Sequence, residues 1–256
     1  MKLAAFTLVA CGIGLYACAQ DQQKMKPEET EFYTPVPPVV TPGKSCGDAP
    51  SDAITLFTGK DLSQWVSTKD TTQAAQWTVS GDYFTVKKGT GDIQTKQRFT
   101  DYQLHIEWRI PENITGSGQA RGNSGIFLAA VPNSNGYELQ VLDNYNNKTY
   151  TNGQAGSIYK QVAPLANANR PPGQWNVYDV VWTAPRFQPD GKLLAPARVT
   201  VFFNGVLVEN NFTLKGDTPY IGMPSYTAHG AAPIKLQDHG DPSPAISYRN
   251  IWIRPL

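Results

Sequence analysis

From Ile54 onward, apolar and polar residues alternate with a period of two, in short runs separated by Gly, Pro, Asn and Asp. In YQLHIEWRI (102–110), Tyr102, Leu104, Ile106, Trp108 and Ile110 fall on one face, and Gln103, His105, Glu107 and Arg109 on the other. Successive strand side chains point to opposite sides of a sheet, so this pattern predicts a strand with one face in a core. WTVSGDYFTV (77–86) predicts two strands joined through Ser-Gly-Asp. Asn204-Gly205, between VTVFF and VLV, predicts a two-residue hairpin turn. SGIFLAA, YELQVLD, WNVYDVVWTA, PIKLQDHG and ISYRNIWIRPL extend the series, and almost nothing of helix length repeats every 3.6 residues. About a dozen strands over ~200 residues predict an all-β fold, a jelly-roll β-sandwich of two antiparallel sheets. Two long stretches without period, 115–123 and 147–173, are expected to be functional loops lining one end or face of that scaffold.

Before residue 53 the pattern differs. Met1-Lys2 and the largely apolar run Leu3 to Tyr16 read as a secretory signal, too short to span a bilayer. The run ends in Leu15-Tyr16-Ala17-Cys18, which looks like a bacterial lipobox, so residues 1–17 are expected to be a lipoprotein signal peptide and Cys18 the lipidated N-terminus. A plain secretory signal cut near Ala17 or Ala19 is the alternative. Residues 18–52 carry recurrent prolines and no period, the composition of a stiff, extended tether. The folded domain is then 53–256, held in the bacterial cell envelope, with contact to the membrane only through its lipid.

Composition narrows the partners. The formal net charge is +1 and no Lys/Arg cluster is interleaved with aromatics, so nucleic acid is set aside. Of three cysteines, Cys11 would leave with the signal and Cys18 would carry lipid, leaving Cys46 alone. An internal disulfide and a Cys-based zinc site are both excluded in the mature chain. There is no GxSxG elbow, no GxGxxG or P-loop, and no HExxH.

The candidate chemistry lies on two strands and their neighbours. In YELQVLD, Glu138 and Gln140 share one face, and Asp143 follows where the strand ends. A carboxylate and an amide side by side match the paired donors and acceptors of sugar hydroxyls; a solvated sheet face is the bland alternative. In PIKLQDHG, Lys235, Gln237 and His239 share a face. His239 is one of three histidines and can be a general acid or base, a ligand, or a turn residue. His105, on a polar face beside Glu107, suits a structural role better. Asn123 can donate to a ligand or open a strand, and Arg249 can clamp a hydroxyl pair or lie over Tyr or Trp.

Taken in order, LFTGKDLSQW, WTVSGDYFTV, FTDYQLHIEWR, NSGIFL, GYELQVLDN, AGSIY, GQWNVYDVVW, VFFNGVLVEN, LQDHG and YRNIWIRPL resemble the 3-keto-disaccharide hydrolase domain family, formerly a domain of unknown function, over roughly residues 53–256. The resemblance implies a concanavalin-like jelly roll and cleavage of glycosides whose C3 hydroxyl has become a ketone. Such a ketone acidifies the hydrogen on C2. A base removes it, the C1 substituent leaves by elimination, and water adds back. The chemistry needs a base near C2, an acid near the leaving oxygen and polar stabilisation of the enolate. Glu138 is the expected general acid/base, and His239 the second proton-transfer group or, with Glu138, a ligand for a divalent metal. Gln140, Gln237 and Asn123 are expected to hold hydroxyls or the ketone, with Asp143, Tyr159 and Arg249 framing the pocket. An oxidoreductase that makes the keto sugar is the implied partner. The rival is a lectin-like surface lipoprotein, in which the same Glu, Gln, Asn and Trp side chains bind glycan without chemistry. The TGSGQA stretch before Arg121 and the loop 184–197 are departures expected to reshape the pocket.

Overall fold

The computed structural model describes residues 25–256; the expected signal stretch and Cys18 lie outside them. Residues 25–39 belong to a separate unit, with one 3-10 turn at Pro27–Thr30 and exposed Phe32, Tyr33, Val36 and Val39. The compact β unit runs from Val40 to Leu256, so it begins before the residue 53 read from the sequence. Residues 40–52 dock against the last strand. Trp252 Nε1 and Asn250 Nδ2 donate to Gly47 O at 2.8 and 3.0 Å, and Arg254 pairs with Asp52. No local period forecasts this, because the partners lie two hundred residues away.

The strands are β1 (Ile54–Phe57), β2 (Trp65–Ser67), β3 (Thr78–Ser80), β4 (Tyr83–Thr85), β5 (Ile93–Thr95), β6 (Tyr102–Arg109), β7 (Ser124–Phe127) and β8 (Glu138–Val141). They continue with β9 (Trp175–Thr183), β10 (Arg186–Phe187), β11 (Leu193–Ala195), β12 (Arg198–Phe203), β13 (Val206–Thr213), β14 (Lys235–Leu236) and β15 (Ser247–Pro255). The large sheet runs β13-β12-β9-β6-β15-β4-β3, with β1 also on β15; the small sheet runs β2-β5-β14-β7-β8. All the named pairings are antiparallel. This is the sandwich the alternation predicts, and the expected hairpins form at Ser80–Asp82 and at Asn204-Gly205, whose φ values are 51° and 80°.

The inner faces make one core. Leu104, Ile106, Trp108, Tyr178, Val180 and Trp182 of the large sheet share it with Trp65, Ile93, Ile126, Leu139, Val141 and Leu236 of the small one. Tyrosine hydroxyls bond across the layers: Tyr178 donates to Gln140 O at 2.8 Å, Tyr102 to Leu128 O at 2.6 Å, and Tyr248 meets Ser124 Oγ at 2.8 Å. These bonds fix the small sheet, and whatever its outer face carries, against a rigid partner.

His105 takes the structural role. It is buried on the back of the large sheet, stacked on Trp252 with ring centroids 5.3 Å apart, with Nδ1 2.6 Å from Asp179 and Nε2 3.6 Å from Glu107. Burial disfavours its charge, but the two carboxylates outweigh burial and raise its pKa to about 9. Its charged-state stabilisation is therefore complete below the ordinary histidine pKa near 6.5 and is lost as pH rises through about 9. Replacing His105 by Ala should cost about 2 kcal/mol at neutral pH, because the half-exposed Asp179 loses its cation while Glu107 keeps Arg249. Urea unfolding at pH 6 and pH 10 checks this; the penalty should shrink at the higher pH.

Candidate functional site

The outer face of the small sheet is where the polar half of each alternating strand gathers. Register makes the pattern explicit. Lys235 lies opposite Gln94 on one side and Phe127 on the other, and Phe127 lies opposite Glu138. One step along, Gln140 lies opposite Gly125. Beyond β8 the segment Gly156–Tyr159 continues the sheet without being a named strand: Tyr159 N donates to Glu138 O at 3.1 Å and Gln140 N to Ser157 O at 3.0 Å. A row Lys235–Phe127–Glu138–Tyr159 thus floors a cavity of about 450 Å3, with Gln237, Gly125 and Gln140 in the adjacent row.

The two aperiodic stretches build the walls, as expected of functional loops. Gly118 and Asn147 exchange two bonds, at 2.7 and 2.9 Å, and Gln119 Nε2 reaches Thr149 Oγ1 and Gly153 O at 2.9 and 2.8 Å. The loops therefore stand as one wall, bringing Gln119 and Asn123 beside Tyr150 and Tyr159, whose hydroxyls are 2.6 Å apart. A third loop, around Thr218 and Tyr220, closes the far side; Thr218 Oγ1 accepts from Glu138 N at 3.2 Å.

Glu138 is the most perturbed group on the floor. It is 6 % exposed, and no protein donor reaches its carboxylate among the described residues. Burial pushes its pKa up to about 8; Lys235 pulls down and Asp92 pushes up by smaller amounts. At neutral pH it is mostly a neutral acid. Its carboxyl lies over Gly125, where a Cβ would sit 2.6 Å from Oε1. A glycine inside a strand often marks such a close approach.

His239 lines the same cavity, beyond the end of β14. Its Nδ1 is 2.8 Å from Asp241 Oδ2. Burial opposes ionisation of Asp241, but bonds from Ser243 and His239 hold its carboxyl below the ordinary aspartate pKa. An ionised carboxylate can only accept, so the shorter Oδ2 contact favours a proton on Nδ1, against the 3.3 Å approach of Asp241 N to the same nitrogen; in the neutral ring with that tautomer, Nε2 carries the lone pair. Lys88 anchors this pair, donating to His239 O at 2.9 Å and meeting Asp241 Oδ2 at 3.3 Å.

Of the site residues read from the sequence, Glu138, His239, Asn123, Gln140, Tyr159 and Gln237 meet in this cavity. Asp143 and Arg249 do not, and these two are corrections. The chain leaves β8 after Val141, and Asp143 turns to pair with Arg121 Nε at 2.6 Å while accepting from Tyr145 N at 3.1 Å, so it braces the loop wall. Arg249 lies on the large sheet opposite Glu107, pairs with it at 2.7 Å, and stacks 4.3 Å from the Trp175 ring. The aromatic contact also differs from expectation: Tyr150, Tyr159, Tyr220 and Phe127 line the cavity, and no tryptophan does. The loop 184–197 folds into its own small hairpin, β10–β11, and supplies no lining residue. Sequence reading passed over Asp92, Gln119, Tyr150 and Thr218, which reach the cavity through pairing and loop contacts that leave no local signal; Lys235 was visible on the face of Gln237 and His239 but given no role.

The sequence model described as 3-keto-alpha-glucoside-1,2-lyase-like domain matches residues 52–254. The chain belongs to this family. Among solved structures, a "putative glycosyl hydrolase" from Parabacteroides distasonis is 59% identical, with a TM-score of 0.85 over 91% of this chain and 97% of that one. Two further Parabacteroides distasonis structures bearing the same description align at TM-scores of 0.57 and 0.56 with 21% and 23% identity, covering 78% and 80% of this chain and 92% and 99% of theirs. At that identity they support the sandwich fold alone. No curated protein sequence matches the chain. The 3-keto-glucoside lyase-like family is carbohydrate-active by description, and the lined cavity of this member suits a polar ligand: acid, imidazole and five amides converge between tyrosines. Among the described residues, no cluster of three or more His, Cys, Asp or Glu side chains is gathered around one point as a metal cage.

Proposed function

We propose that this chain cleaves the glycosidic bond of 3-keto-glycosides by elimination across C1 and C2. The carrying observation is the placement of a buried Glu138, whose pKa burial raises to about 8, and the imidazole of His239, bonded through Nδ1 to Asp241, in one cavity of a family whose description already names a 1,2-lyase. A carboxylic acid and an imidazole facing one cavity can serve as an acid and a base.

His239 Nε2 takes the proton from C2, and the C–H pair becomes the C2–C3 enolate. The enolate collapses to re-form the C3 carbonyl and a C1–C2 double bond as the C1–O bond breaks. Glu138 gives its proton to the leaving oxygen. Addition of water to the double bond yields the free 3-keto sugar, and a proton passing through water from His239 to Glu138 resets the site. Gln140 and Gln237 hold ring hydroxyls, and Asn123 orients Gln140 through a 2.9 Å bond. A divalent ion shared by Glu138 and His239 would polarise the ketone, the ion displacing the Glu138 proton; water would have to complete its shell. The same reading places the chain in the envelope, lipid-anchored at Cys18, and supplied by an oxidoreductase acting on C3.

The test is turnover of a 3-keto disaccharide and of its unoxidised parent by the chain, with an EDTA arm. Cleavage confined to the keto sugar supports the elimination; EDTA sensitivity assigns the metal. Saturable binding without cleavage of either establishes the lectin-like alternative instead. The pH profile separates the roles: with Glu138 as the acid, kcat should fall as pH rises through about 8, whereas a Glu138 base would make it rise there.

A further inference from the structure

The donors and acceptors that the cavity leaves open are unequal. Gln140 Nε2 already donates to Asn123 Oδ1, Ser124 O and Val141 O at 2.9, 3.3 and 3.0 Å, which also fixes the orientation of that amide. Asn123 Nδ2 donates to Gln119 O at 2.8 Å, Gln119 Nε2 to the loop wall, and one N–H of Asn135 Nδ2 to Thr218 O at 3.1 Å. The cavity atoms that remain buried without any partner are both acceptors, Gln140 Oε1 and Gln237 Oε1. Such atoms receive hydroxyl protons from a ligand. They cannot hold a ketone, which is itself only an acceptor.

A ketone oxygen therefore has to be met elsewhere. Gln237 Nε2 and the tyrosine hydroxyls are neutral donors. Lys235 supplies the one lysine or arginine side chain among the described residues that line the cavity. Its ammonium is 3.2 Å from Asp92 Oδ2, which uses one of three N–H donors, and lies 3.7 Å from the centre of the Phe127 ring. The side chain is 15% exposed, so the charge acts in a poorly hydrated setting where it counts for more than in water.

Position agrees with charge. Lys235 and Glu138 flank Phe127 in one cross-strand row, their backbones roughly 10 Å apart. His239 lies farther along the direction of β14. In a pyranose, C2 sits between C1 and C3. A ring lying along the row puts its C1 oxygen toward Glu138, its C3 oxygen toward Lys235 and its C2 hydrogen toward His239.

We propose that Lys235 is a further catalytic residue of this site, whose ammonium binds the C3 carbonyl oxygen and stabilises the enolate formed when the C2 proton leaves. No covalent bond to lysine forms: the proton goes to His239, and the charge on the C3 oxygen is held by Lys235 until the C1–O bond breaks. The assignment rests on the elimination chemistry proposed above.

The experiment compares wild type, Lys235→Met and Lys235→Arg on a 3-keto disaccharide, with and without deuterium at C2. Lys235→Met should lower kcat by about 10²- to 10³-fold with KM changed little, because the lost interaction is strongest in the transition state. Its C2 deuterium isotope effect should rise toward a full primary value as proton removal becomes rate-limiting. Lys235→Arg should retain most of the rate. Lys235→Met combined with Asp92→Asn, which removes the stranded carboxylate, should show the same loss and a melting temperature near that of wild type. A Lys235→Met enzyme within threefold of wild-type kcat, or one with an unchanged isotope effect, overturns the assignment while leaving the elimination intact. A wild-type chain that turns over no keto sugar overturns both.

Discussion

Glu138→Gln should lower kcat on a 3-keto glycoside by about 10³-fold, the range expected when a positioned general acid is removed. The amide keeps the shape and the burial of the carboxyl but has no proton to give the leaving oxygen. Binding of the substrate should survive, since the Gln140 and Gln237 acceptors and the tyrosine wall are untouched. The same change should raise stability. Glu138 in the folded chain has its pKa displaced upward to about 8 by burial, so the fold binds this proton more tightly than the unfolded chain does. Its contribution is fully present below the unfolded value near 4.5 and is lost as pH rises through about 8. By pH 7 the native state has forfeited on the order of 3 kcal/mol relative to acid conditions, and glutamine does not titrate. Single-turnover kinetics paired with unfolding at pH 5 and pH 8 check both halves. The stability gap between variant and wild type should widen with pH. A variant that is inactive because it is unfolded would contradict the reading of Glu138 as a group held at a cost for its chemistry.

Gly125→Ala should lower kcat by about 10²-fold with a modest loss of stability. The glycine backbone is ordinary strand, so alanine meets no dihedral strain there. Its Cβ would lie 2.6 Å from Glu138 Oε1 and 3.1 Å from both Cγ and Cδ of that side chain. The neighbour that must give way is a flexible side chain, so the fold adapts and the carboxyl moves. A shift near 1 Å in a reacting group is enough for losses of this size, while overpacking adds about 1 kcal/mol of destabilisation. Steady-state kinetics and a thermal melt on the same sample distinguish the two effects. An unchanged kcat would mean that Glu138 does its work from a different rotamer.

How much of this was legible in the chain depends on the range of the interaction. Alternation in 102–110 assigned Tyr102, Leu104, Ile106, Trp108 and Ile110 to the core, and all five are buried. Alternation in 138–141 and 235–239 put Glu138 with Gln140, and Gln237 with His239, on outward faces, and both pairs line one cavity. That two separate strands would share it was carried only by the ordered family motifs. Asp143 misled because the period of two stops at Val141: beyond a strand end, parity says nothing about direction, and Arg121 claimed the carboxylate. Arg249 misled for the opposite reason. Its strand is regular, but sequence does not say which sheet a strand joins, and β15 lies in the large one.

The sequence by itself determined the strands, the tight turns and the side of each strand that is polar, because these follow from local sterics and from hydrophobic burial with a period of two. It also determined which chemistry was absent, through its missing motifs and scarce cysteines. Tertiary structure decided which polar faces meet. Cross-strand register set Lys235 and Glu138 on either side of Phe127, loop-to-loop bonds raised the tyrosine wall, and Asp241 held His239 through Nδ1. It decided the electrostatics as well. A glutamate in a polar-looking strand has an ordinary pKa on paper. Only its burial over Gly125, without a protein donor to its carboxylate, makes it an acid at neutral pH.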